Sequence, residues 1–143
     1  MDIDKELTAL TREFAALAQK DTCSRDIGHL SVLQLQVLTT LYFRGAPPTM
    51  SELAEDTDIF LPSASVIVDK LEEHRLVERY HRPDDRRIIQ VRLTSKGAGL
   101  IERHLQTAER TLKQALGTLS DSDKKVVLRF FERYLHALRE SQR

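Results

Sequence analysis

Arg79, Arg82, Arg86 and Arg87 lie close together, interleaved with Asp84 and Asp85, in the stretch LVERYHRPDDRRIIQVRLTSK from Leu76 to Lys96. Arginine is permanently charged and carries a planar fork of N–H donors, so it suits oxyanions and acceptor edges. Pro83-Asp84 has turn chemistry, and a tight turn needs no paired arginines at its tip. Side chains there project away from the fold and can reach a phosphate or the edge of a groove. A solvated surface loop is the plainer use of such a cluster, and its surroundings decide between the two.

Other chemistries find little support. The five histidines, His29, His74, His81, His104 and His136, form no pair with each other or with the single cysteine at metal-ligand spacing. Nothing resembles a nucleophile elbow, a glycine-rich phosphate loop or a carboxylate pair on one helix face. No enzyme, metal or cofactor is therefore expected. Cys23 has Arg25 nearby, which favours a thiolate, but Asp21 and Asp26 oppose it. A passive thiol is the expectation, with a thiol-switched protein as the alternative.

The elements that must position the arginines follow from pattern. Ile89-Gln90-Val91-Arg92-Leu93 alternates apolar and polar residues, the period of a half-buried strand. With the segment after Leu76 it predicts a hairpin around the charged loop. Upstream, Thr49-Met50-Ser51-Glu52-Leu53-Ala54-Glu55 predicts a short helix, with Thr49 and Glu52 at capping-box spacing. A second helix is expected from Pro62 to His74, with Pro62 in its first turn. Ala64, Val68 and Leu71 would form its buried stripe. Helix, turn, helix and hairpin make a winged helix-turn-helix. Further helices are expected on both sides. Ile3, Leu7, Leu10, Phe14 and Leu17 form a heptad-like seam in a helix ending near Asp21. Ser31 and Gln34 open another helix, which stops at Gly45 before Pro47-Pro48. Thr94 caps one more, Gly117 breaks it, and Ser120 with Asp123 opens the last, lined by Phe130, Phe131 and Tyr134.

Composition sets bounds. The 143 residues suit one domain with a real core, and charged residues at 31% against aromatics at 6% suit a helical protein. No apolar run approaches the roughly 20 residues of a membrane helix. The acidic start MDIDKEL is unlike a secretory signal. One cysteine suits a reducing cytoplasm. Net charge is zero, but residues 45–73 carry one lysine against seven acids, a net of −6. Residues 74–96 carry seven Lys/Arg against three acids, a net of +4. Attraction to a polyanion must come from the hairpin and its flanks, through Arg79, Arg82, Arg86 and Arg87, with the acidic half turned away.

SELAE in the first helix, VDKLEEHRLVER across the second helix and into the hairpin, and PDDRR followed by VRLTSKG together resemble the MarR family of bacterial transcription regulators. The resemblance covers nearly the whole chain. It implies a mainly α fold with a small β-hairpin wing, a reader at residues 30–96, and dimerisation helices at 1–22 and 97–143. It further implies a homodimer on a pseudo-palindromic double-stranded DNA operator, with release by a small lipophilic or phenolic effector that no residue identifies. Matched residue by residue, Arg87 falls on the wing arginine that enters the minor groove and Asp85 on the aspartate that holds it. Arg82 and Arg86 are expected at phosphates, and His81 at the wing's base is a further candidate. Ser51, Pro62, Ser63, Ser65, Val66 and Lys70 complete the expected DNA-facing set. The chain departs from the family where relatives often carry Arg or Lys, at Leu61 and Val66, and has Phe60 in place of a polar N-cap. Val66 would then touch a thymine methyl or be buried. A winged helix that docks a protein instead of DNA is the remaining alternative.

Overall fold

The computed structural model describes residues 2, 3, 5–10, 12 and 29–141. The elements run α1 (Val32–Phe43), α2 (Met50–Thr57), α3 (Leu61–Glu73), β1 (Val77–His81), β2 (Ile89–Leu93), α4 (Ser95–Leu116) and α5 (Asp121–Ser141). Residues 5–10 are also helical. The fold is mainly α with one antiparallel hairpin, a winged helix-turn-helix. Contacts divide the chain into residues 1–104 and residues 105–143.

Local chemistry sets the helix starts. Ser31 and Gln34 form a full capping box on α1, and Thr49 and Glu52 form one on α2. Each box satisfies backbone amides that the first turn leaves without partners. α3 starts on Phe60, which offers no side-chain cap, with Pro62 in the first turn. Thr94 Oγ1 accepts from the Gly97 amide at 3.1 Å to start α4. At α5, Ser120 Oγ accepts from the Asp123 amide, but Asp123 bonds back to the Ser120 hydroxyl at 2.6 Å instead of its amide. Aspartate is one methylene shorter than the glutamate of a full box. The expected stop at Gly45 comes early: α1 ends at Phe43 and its cap, Arg44, is extended, so no left-handed glycine is needed.

The core of the first unit joins α1, α2, α3, the hairpin and the start of α4. Val37 and Leu38 of α1, Leu53 of α2, and Ala64, Val68 and Leu71 of α3 are buried together with Leu76, Val77 and Val91 of the hairpin. Gly97, Leu100 and Ile101 from the start of α4 are buried as well. At Gly97 the fit is close enough that a Cβ would overlap the Leu76 carbonyl oxygen and lie 2.9 Å from its carbonyl carbon. The hairpin pairs Val77 with Leu93 and His81 with Ile89 at its ends. A bridge between Thr49 and Gln90 and a bond from the Val91 amide to the Pro48 carbonyl (2.9 Å) fasten β2 to the start of α2. The expected alternation on β2 holds only in part: Val91 is buried, but Ile89 is exposed because it pairs beside the wing tip, beyond the core.

In the second unit no α5 residue is buried, and Phe130, Phe131, Tyr134, Leu135 and Leu138 stay exposed on it. Ile3, Leu7 and Leu10 near the start of the chain are also exposed. Phe14, Leu17, Asp21 and Cys23, with the expected helix end and thiol environment, lie outside the described residues. Among the described residues no helix is long and apolar enough to cross a membrane, and no cluster of His, Cys, Asp or Glu could hold a metal ion.

Candidate nucleic-acid interface

α3 has two faces. Ala64, Val68 and Leu71 point into the core, while Pro62, Ser63, Val66 and Lys70 are exposed. At about 100° per residue, Pro62 and Val66 stack one turn apart at the centre of the outer face, with Ser63 and Lys70 on one flank. Val66 is 53% exposed, so the buried alternative for it is excluded. Ser51 sits exposed in the first turn of α2. Phe60, just before α3, is 76% exposed.

The wing tip, residues 82–88, is braced from inside. The Arg82 amide donates to the Ile88 carbonyl (2.9 Å) and the Ile88 amide to the Asp85 carbonyl (3.0 Å). His81 Nδ1 donates to the Arg86 carbonyl at 2.7 Å, so this ring supports the loop and that nitrogen is not open to a phosphate. Asp85 accepts from the Arg87 amide, Nε and Nη2, each at 3.1 Å. The Arg87 side chain is nonetheless 91% exposed, so Asp85 steers a guanidinium that points into solvent. Arg82 is held by both oxygens of Asp84, one at 2.8 Å. Among the described residues the Arg86 side chain has no carboxylate partner.

These contacts shift the wing carboxyls. The Arg82 hydrogen bond lowers the Asp84 pKa and raises that of Arg82, and the Arg87 side chain followed by its amide lowers the Asp85 pKa. A carboxyl whose folded pKa is depressed contributes above its unfolded value, near 4, and the contribution is lost as pH falls through the folded value. In an NMR titration the Asp85 side-chain carboxyl carbon should therefore change below the ordinary carboxylate value of about 4. A midpoint at or above that value would contradict the Asp85 contact.

Arg79 departs from expectation. It was expected to help attract a polyanion, but its side chain turns inward to α3. Nη1 bonds Asp69 Oδ1 at 2.6 Å and also Glu72, and Nη2 reaches the carbonyl and hydroxyl oxygens of Ser65 at 3.3 Å. The Arg79 amide donates to Glu72 Oε2 at 3.2 Å. Ser65, Asp69 and Glu72 share one side of α3, so one guanidinium fastens three successive turns to β1. Burial alone would lower the Arg79 pKa, but the Asp69 and Glu72 hydrogen bonds and charges raise it. Ser65, half-buried, is thus engaged within the protein, unlike Ser63.

The same pairing explains the acidic half. Arg44 binds Glu52 (3.1 Å) and Asp56, while Arg79 binds Asp69 and Glu72. Four of the seven acids are thereby neutralised in place, which composition alone could not reveal. On the hairpin's flank, Glu78 takes Arg92 at 2.6 Å, and Arg92 also lies 4.2 Å from the Tyr80 ring centre. The exposed face of α3 and the wing arginines remain, of which Arg82 and Arg87 are themselves paired with Asp84 and Asp85. Together they offer apolar and hydroxyl groups on a helix, with cations on a projecting loop.

Residues 30–89, which span this arrangement, match the family model described as MarR family. The chain is 36% identical over 74 residues to the uncharacterized HTH-type transcriptional regulator YhbI of Bacillus subtilis, covering 52% of this chain and 47% of the relative. It is 26% identical over 131 residues to the HTH-type transcriptional repressor NicR of Pseudomonas putida, covering 89% of this chain and 80% of the relative. The match spans about half of YhbI and 60% of YdgJ, a second B. subtilis regulator. Among solved structures, Streptococcus pneumoniae FabT in complex with DNA aligns at TM-score 0.77 and 16% identity, covering 96% of each chain. RV1404 of Mycobacterium tuberculosis aligns at TM-score 0.83 and 18% identity, covering 94% of this chain and 91% of that one. The helix-turn-helix and wing built as described thus lie in the part of the chain, residues 30–89, that matches the MarR family.

Proposed function

We propose that the protein is a sequence-specific DNA-binding transcription regulator, a cytoplasmic repressor that binds a pseudo-palindromic operator as a homodimer and catalyses no reaction. The observation that carries this is the exposed outer face of α3 beside a wing whose Arg87 is held outward by Asp85. α3 is the recognition helix in the major groove, through Pro62, Ser63 and Val66. Ser51, Lys70, Arg82 and Arg86 serve the phosphates, and Arg87 the minor groove. The match of residues 30–89 to the MarR family and relatives named as repressors support the reading. The reader is residues 30–96, and residues 1–22 and 97–143 supply dimerisation helices. A small lipophilic or phenolic effector is the regulating ligand class. The test is selection of duplexes from genomic DNA with purified protein. An enriched palindrome bound with a steep salt dependence is expected, and binding that ignores salt would favour a protein-docking module.

The charge pairing sharpens the salt prediction. Counterion release scales with the phosphates that a protein newly neutralises, and among the described residues Arg86 has no carboxylate to compete. Arg86→Ala should flatten the log–log salt slope by about one unit. Arg82→Ala should flatten it less, because Asp84 already offsets that charge. Ser63→Ala should leave the slope alone and blur preference among operator variants, since hydroxyls read bases without releasing ions. Isotherms at several salt concentrations check this, and a slope change in Ser63→Ala would overturn the division of roles.

The exposed apolar residues of α5, with Phe130 at 58%, supply the surface for the dimer. The full chain should sediment as a dimer at micromolar concentration, and removal of residues 1–20 should give monomers or aggregates. A full-length monomer under those conditions would refute the dimer.

A further inference from the structure

We infer that α3 reads its operator chiefly through thymine 5-methyl groups, with Val66 and Pro62 as the reading surface. This rests on the DNA-binding reading above. In the major groove, guanine presents two acceptors that Arg or Lys recognises, adenine a donor–acceptor pair that suits Asn or Gln, and cytosine a donor that suits a carboxylate. From Ile59 to Asp69 the chain has no Arg, Lys, Asn or Gln. Its one carboxylate there, Asp69, is held by Arg79 at 2.6 Å, and the Ser65 hydroxyl lies 3.3 Å from the same guanidinium. The helix face left to meet base edges in the first two turns is Pro62, Ser63 and Val66, all exposed. Only thymine offers an apolar group in that groove.

Exposure points the same way. Val66 is 53% exposed and Phe60, at the end of α3 that leads into the groove, is 76% exposed. Apolar side chains with this much area in water gain from being covered. The occupant is duplex DNA because the patch is flanked by cations: Lys70 on the same helix, and Arg86 and Arg87 on the wing that Arg79 fastens beside it. Those charges complement a polyanion. The preferred half-site is therefore one that places thymines under the first two turns of α3, with Ser63 adding a hydrogen bond of low selectivity.

The experiment uses the full chain and the operator recovered by selection, with thymines replaced one at a time by deoxyuridine. That change removes the methyl and keeps the base pairing. At one or two positions per half-site it should weaken binding about four-fold, the worth of one buried methyl, and about fifteen-fold when both half-sites are changed. Val66→Ala should remove most of that penalty at one position, while Ser63→Ala should leave it intact. Cytosine placed at that position should bind poorly, and 5-methylcytosine, which restores a methyl to the groove, should bind more tightly than cytosine. If deoxyuridine equals thymine at every position of a bound operator, or Val66→Ala leaves the penalty intact at every position, thymine-methyl reading is overturned and DNA binding stands. If no duplex is enriched, the DNA-binding reading falls and takes this one with it.

Discussion

Gly97→Ala should destabilise the protein by about 3 kcal/mol, the upper end of the usual cost of forcing a carbon into a packed site. The added Cβ would overlap the Leu76 carbonyl oxygen and sit 2.9 Å from its carbon, and backbone cannot swing away as a flexible side chain can. The site is pinned from both sides. The Leu76 carbonyl accepts from the Thr94 amide at 3.1 Å, and Leu76 and Ile101 are buried around it. Relief would require α4 to move off the core. Gly99 is the internal control. Only the end of the Arg103 side chain, at 3.5 Å, faces a Cβ there. Gly99→Ala in the same helix should stabilise by about 0.5–1 kcal/mol through helix propensity. Urea denaturation at one protein concentration measures both. A Gly97→Ala midpoint equal to that of the unmodified protein would mean that α4 does not approach Leu76 as described.

Arg87→Ala should weaken operator binding by about 1–3 kcal/mol for each wing of the dimer, the usual loss for a groove contact. The gain it removes is electrostatic: a narrow minor groove concentrates negative potential, and a guanidinium inserted there meets little competition from water. The folded protein should be unaffected in melting, because the side chain is 91% exposed and its ion pair with Asp85 is a surface one. Asp85→Ala should cost less than Arg87→Ala, since the cation remains and only its aim is lost. Anisotropy titrations at fixed salt on the selected operator decide it, and operator affinity unchanged in Arg87→Ala would remove Arg87 from the interface.

What the sequence displayed was whatever depended on near neighbours. Ser31 with Gln34, Thr49 with Glu52 and Thr94 with Gly97 are each three residues apart, so their caps could be read from spacing. The stripe of Ala64, Val68 and Leu71 follows from helical period alone. The Asp85–Arg87 contact is similarly local, between residues two apart. Arg79 is the opposite case. Its partners Ser65, Asp69 and Glu72 lie seven to fourteen residues away across a helix end and a turn, so its charge counted as free until the fold brought them together. Arg44 with Glu52 and Asp56 was hidden in the same way. Ile89 escaped because alternation names the two faces of a strand but cannot say where the core stops.

The Arg79 fastening has a further consequence, for operator architecture. One guanidinium bonded across three turns of α3 leaves helix and hairpin little freedom to slide past each other. In the proposed complex, the bases under α3 and those under the tip of the wing would then be measured by a fixed ruler. Adding a single base pair between them would shift one contact by about 3.4 Å along the duplex axis and also rotate it about that axis. The protein could answer only by giving up one contact or bending the DNA. Variation in spacing among natural operators should therefore fall between half-sites and not within them.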